Sequence, residues 1–160
     1  LVISLVFPDS ETANFPSLTD VQREKLKPLN ILLVDDSVVA RAQLSGALDR
    51  MNIPYKVTAN GNDALNIMKN DAKENVPIDL VVSDIEMPGL DGYELTFEIR
   101  NNSSQLGSPY IILHTSLSSE ISVSQAHQVG ANEALTKFDA SELIQAMLRG
   151  AEYKHASDEG

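Results

Sequence analysis

The chain has 160 residues, 42% of them hydrophobic, which suffices for one domain with a substantial core. It has no Cys, which excludes disulfides and thiolate metal sites and fits a reducing compartment. Its formal net charge of −11 repels the phosphate backbone of nucleic acid, and its apolar runs are too short to cross a bilayer, so neither a nucleic-acid partner nor membrane insertion is expected.

Residues 1–28 differ in character from the rest and read as a linker or N-terminal extension. The opening LVISLVF has strand composition but lacks the basic flank and cleavage site of a secretory signal, and a loop-like PDSETANFPS follows it. Thr19-Asp20-Val21-Gln22 matches a capping box, which predicts a short helix over Asp20–Leu26, stopped by Pro28. From Leu29 the text alternates. Ile31–Val34 reads as a buried strand, and Val38–Met51 as a helix with Ala40, Leu44, Ala47, Leu48 and Met51 on one face. Tyr55–Ala59 is the second strand, Asp63–Lys73 the second helix of this series, Leu80–Ser83 the third strand and Tyr93–Arg100 the next helix, after the turn-rich MPGLDG. Tyr110–His114 is a fourth strand and Glu120–Val129 a helix capped by Gly130. Ala134–Thr136 is a fifth strand, Ser141–Ala151 the last helix, and residues 152–160 a disordered tail. Strand-then-helix units with short connections imply an α/β domain over 29–151, built on a five-stranded parallel sheet with helices on both faces.

In such a fold the site lies beyond the carboxyl ends of the strands, where strand order reverses. Asp35 and Asp36 follow ILLV, Asp84 follows LVVS, Thr115 follows YIILH and Lys137 follows EALT. Asp35, Asp36 and Asp84 at neighbouring strand ends would repel one another, and a hard divalent cation relieves that conflict. Mg²⁺ suits an open, oxygen-lined edge. A turn former or helix cap explains a single Asp there, but not an acidic pair facing a third. With a Thr115 hydroxyl donor and the Lys137 ammonium added, the set fits phosphoryl transfer to the Asp84 carboxylate.

On the motifs LLVDDS, VVSDIEMPGLDG, ILHTS and LTKF the chain resembles, from about Leu29 to Ala151, the CheY-like receiver domain of two-component response regulators. That resemblance implies a flavodoxin-like (βα)5 fold. It makes Asp84 the phosphoacceptor and makes Asp36 a direct Mg²⁺ ligand, with Asp35 acting mainly through water. The Glu86 backbone carbonyl is the further protein ligand, and Thr115 and Lys137 hold the phosphoryl group. Met87-Pro88-Gly89 shape the loop behind the acceptor. HTSLS, TKF and SDIEMPGLDGYELT are similar to the receiver half of CheV-type chemotaxis coupling proteins. In that family a CheA-type histidine kinase is the phosphodonor, and an amino-terminal CheW-like coupling domain, not visible here, links the receiver to the chemoreceptor array. The implied place of action is the cytoplasm. The only catalysis implied is the domain's own phosphorylation and dephosphorylation.

The chain departs from the receiver pattern in several places. Phe138 stands where most receivers have Pro after the lysine, and Ala134 where most have an aromatic residue that turns inward on phosphorylation. Ser116 replaces a small Ala, as a second phosphate donor or as a helix cap. Glu86 and Leu117 flank the expected path of the hydrolytic water. Two other readings stay open, the first on Ala134 and Phe138 and the second on Glu86, an acid two residues after Asp84. One is a receiver-fold scaffold that binds partners without a phosphorylation-driven switch. The other is a Mg²⁺-dependent phosphohydrolase, against which the Asp35-Asp36 pair and the lack of a cap domain argue.

Overall fold

The structure, a computed structural model, describes residues 18–115, 120–135 and 139–159. The expected LVISLVF strand and positions 116, 117, 136, 137 and 138 lie outside the described residues. In chain order the elements are α1 (Asp20–Leu26), β1 (Ile31–Val34), α2 (Val38–Arg50), β2 (Lys56–Thr58), α3 (Gly61–Lys73), β3 (Leu80–Asp84), α4 (Gly92–Asn101), α5 (Ser103–Leu106), β4 (Tyr110–His114), α6 (Glu120–Gln128), β5 (Glu133–Leu135) and α7 (Ala140–Glu159).

All strand pairs are parallel, in the order β2-β1-β3-β4-β5. The chain steps outward from β1 to β2, then crosses back to β3, so order reverses between β1 and β3. Side chains on a strand alternate between faces, and the two cores divide accordingly. Ile31, Leu33, Leu80, Val82 and Ile112 pack with Leu44 and Leu48 of α2 and Ile144 and Met147 of α7. Leu32, Val34, Val81, Ile111 and Leu113 face Met68 of α3, Leu95 and Ile99 of α4 and Ala126 of α6. The expected α/β sandwich, with helices covering both faces of a parallel sheet, is what forms.

Two elements differ from expectation. The short α5 is an addition, anchored by the fully buried Leu106. The tail expected to be disordered over 152–160 instead continues α7 through Glu159. The reason is α1, which supplies a surface for the extension. Its Thr19–Gln22 capping box is formed, and Leu26 is buried in the core. Lys25 pairs with Glu152, and the Lys25 carbonyl lies 3.2 Å from His155 Nε2. Tyr153 tilts against Tyr110 of β4 with ring centroids 5.5 Å apart. Gly150 lets this helix lie against the sheet: a Cβ there would meet Leu80 Cδ1 at 2.7 Å and Tyr110 Cδ2 at 2.8 Å.

Replacing Tyr153 with Ala should lower unfolding free energy by about 1 kcal/mol, the usual worth of an aromatic pair beyond its buried area. Urea denaturation checks this, and an unchanged midpoint would mean that the α7 extension contributes no packing.

Candidate functional site

The site assembles where β1, β3 and β4 end. The Asp35 N–H donates to the Thr58 carbonyl (3.1 Å), extending the β1–β2 ladder one residue past the strand. Ser37 caps α2, its hydroxyl accepting from the Ala40 N–H, and the Ser37 N–H donates to Asp35 Oδ1 at 2.9 Å. The Asp35 carbonyl accepts from the Arg41 guanidinium (2.8 Å). This tight turn drives Asp35 inward, to 2% exposure, and leaves Asp36 exposed.

Asp84 closes β3 in register with His114 of β4, and the following Ile85 N–H donates to the His114 carbonyl (2.9 Å). The next turn is set by backbone geometry. Gly89 has a φ of 76°, a conformation that L side chains rarely adopt. Asp91 caps α4 with a capping box to Glu94. Gly92 then lies so close to β3 that a Cβ would meet the Asp84 carbonyl oxygen at 2.4 Å. Met87 is buried behind the loop. Thr115 is buried, its N–H donating to the Leu135 carbonyl (3.0 Å) and its hydroxyl to Glu86 Oε2 at 2.6 Å.

The fold thus brings Asp35, Asp84, Thr115 and Glu86 to one edge. One ligand atom from each of Asp35, Asp84 and His114 lies within 4.8 Å of the other two. Asp36 lies outside that close group, yet near enough that its charge acts on Asp84. Lys137 is outside the described residues; it is the second residue after β5, whose end is tied to Thr115. The position that sequence reasoning passed over is His114. It was visible in ILHTS, but a strand-end His carries no signal until the register sets it beside Asp84.

The electrostatics are those of crowded carboxylates. Burial first, then the charges of Asp35, Glu86 and Asp36, push the Asp84 carboxyl up to about 7. Asp35 is also raised, chiefly by burial, against the opposing Ser37 N–H bond. His114 is lowered by its burial, against the Asp35 and Glu86 charges. A partly enclosed oxygen set that holds protons this tightly fits a hard divalent cation, which can take the protons' place.

Residues 31–148 match the family described as the response regulator receiver domain. The chain belongs to that family. Receivers are signalling modules of two-component and chemotaxis systems, and the relatives of this receiver agree with that class. Chemotaxis protein CheV3 of Helicobacter pylori is 27% identical over 81% of this chain and 43% of its own length. The probable chemotaxis protein CheY of Rhizobium etli is 33% identical over 78% of this chain and 91% of its own. The chain therefore spans less than half of CheV3 but nearly all of a free-standing CheY. Among solved structures, the receiver of the histidine kinase CKI1 from Arabidopsis thaliana, complexed with Mg²⁺, superposes with a TM-score of 0.68 at 25% identity, over 78% of this chain and 95% of that one. Among the described residues of the receiver, no helix is long and apolar enough to cross a membrane.

The Asp84 pKa gives a signed prediction. Its folded value of about 7 lies above the unfolded carboxylate value, so the folded receiver binds the proton more tightly. Without divalent cations, the stability owed to this proton is complete below the unfolded pKa and is lost as pH rises through about 7. Asp84→Asn should therefore be more stable than wild type near pH 8, with the gain disappearing near pH 4. Urea unfolding in a chelator tests this; a pH-independent difference would exclude a raised Asp84 pKa.

Proposed function

We propose that this receiver is the phosphoacceptor domain of a CheV-type chemotaxis protein. In this reading a CheA-type histidine kinase phosphorylates Asp84 with Mg²⁺, and the domain acts as a switch or phosphate sink in the cytoplasm. The observation that carries the reading is the Asp84 carboxyl at the switch between β1 and β3, beside Asp35, with its pKa pushed up to about 7. Asp35, Asp36, Asp84 and the Glu86 backbone carbonyl would hold the ion. Mg²⁺, when bound, supplies the positive charge that keeps Asp84 ionised and neutralises phosphoryl oxygens.

The chain's own groups then divide the remaining work. An Asp84 oxygen attacks the phosphorus of the donor phosphohistidine, the P–N bond breaks and the imidazole leaves, giving an aspartyl phosphate. The Thr115 hydroxyl donates to a phosphoryl oxygen, which requires it to leave Glu86 Oε2. Lys137 pairs with the same phosphoryl group. In the full protein, a coupling domain of CheW type would join the receiver to the chemoreceptor array.

Incubation with Mg²⁺ and acetyl phosphate should add one phosphoryl mass to wild type and none to Asp84→Asn. Intact mass spectrometry reads both, and the absence of an adduct on wild type would defeat the proposal. Glu86→Ala removes a charge beside Asp84 and the Oε2 acceptor of the Thr115 hydroxyl. It should speed phosphorylation roughly three- to tenfold, about the effect of one nearby charge at a partly screened site.

A second reading, a scaffold without a switch, draws on Ala134. This residue sits half-buried on β5 in register with Leu113 and offers only a methyl group where an inward-turning aromatic would be. Partner affinity measured with and without beryllofluoride separates the two readings. A tenfold change or more is expected of a switch and would exclude the scaffold.

A further inference from the structure

His114 has no part in the phosphotransfer chemistry proposed above, yet it faces the same oxygens. Its side chain is 13% exposed, while Nε2 itself is enclosed and has no hydrogen-bond partner among the described residues. That nitrogen lies 3.4 Å from Asp35 Oδ2. The strand register fixes its backbone directly opposite Asp84.

We propose that His114 supplies an imidazole ligand with which this edge binds a borderline divalent transition cation, Asp35 and Asp84 providing the oxygen ligands. The inference rests on the reading that these two carboxylates hold a divalent ion. Ligands at adjacent positions on one ion stand roughly 3.0–3.4 Å apart when each bond is about 2.1 Å. The three ligand atoms, all within 4.8 Å of one another, would close around one ion by side-chain rotations that draw them together by about an ångström. The enclosed Nε2, with no hydrogen-bond partner among the described residues and facing the Asp35 carboxylate, is placed to offer its lone pair to a metal. An all-oxygen set suits Mg²⁺, whereas an added imidazole favours Co²⁺, Ni²⁺ or Zn²⁺. Such an ion would compete with Mg²⁺ for Asp35 and Asp84.

Calorimetric titration of the full chain with Co²⁺ and, separately, with Mg²⁺ tests this, alongside cobalt-edge X-ray absorption. In His114→Leu the ratio of Co²⁺ to Mg²⁺ affinity should fall at least tenfold, and the imidazole scattering of the Co²⁺ complex should vanish. An unchanged ratio overturns the inference, as does imidazole scattering that persists in His114→Leu, which would place the ion at His127 or His155. If His114→Leu does not fold, Asp84→Asn must weaken Co²⁺ binding at least tenfold, and wild type must still show imidazole scattering. The absence of either result overturns the inference. Mg²⁺ failing to bind while Co²⁺ binds through His114 would overturn the proposed Mg²⁺ role and support this one. If neither ion binds, both fall.

Discussion

Two carboxylates at neighbouring ends of buried parallel strands repel each other, and the surrounding structure holds them there against that repulsion. The ligand atoms of Asp35 and Asp84 come within 4.8 Å. At a partly screened site, two full charges so placed oppose each other by on the order of 3 kcal/mol. The edge therefore favours a positive charge, either a proton on Asp84, whose pKa burial and the neighbouring carboxylates push up, or a cation. The raised pKa values of Asp84 and Asp35 and the fit of the edge to a divalent cation are two expressions of this one crowded arrangement. Glu86 adds a further negative charge, and its Oε2 occupies the Thr115 hydroxyl.

What resists the repulsion is backbone. Asp35 is pinned on both sides, its N–H to Thr58 and its carboxylate to the Ser37 N–H. Asp84 is the last residue of a central strand bonded to neighbours on both flanks, with α4 pressed against its carbonyl through the bare Gly92. Strain at this edge cannot be relieved by a small drift of the strands, because Val34, Val82 and Leu113 sit fully buried just beneath it. The groups with freedom to respond are therefore side chains and the loop after β3.

Much of this was legible in the sequence. ILLV, LVVSD and YIILH are apolar on both faces, as parallel strands buried between two helical layers must be, and the structure sets β1 and β4 within the expected bounds. Asp35, Asp84 and Thr115 were found because each terminates such a run. The choice between Asp35 and Asp36 was not legible. Which of the two turns inward depends on the Ser37 bond and the Arg41 contact, not on residue type. His114 was missed because only strand register sets it against Asp84. The end of α7 was missed because residues past Ala151 have no apolar stripe; their partners are Tyr110 and α1, distant in sequence.

That last contact has a kinetic meaning. Lys25 is separated by 127 residues from Glu152 and by 130 from His155. Contacts closing so long a loop form only after the intervening sheet has brought the ends together. The clasp between α1 and α7 is accordingly a late event in folding and an early one in unfolding. Its polar contacts, Lys25 to Glu152 and to His155, can open locally, whereas full release of α1 would uncover Leu26, which is buried in one core with residues of β1, β3 and β4. The last helix meets Leu80 and Tyr110 where β3 and β4 begin, whereas Asp84 and His114 stand where they end, so the clasp can loosen at one edge of the sheet without disturbing the carboxylates at the other.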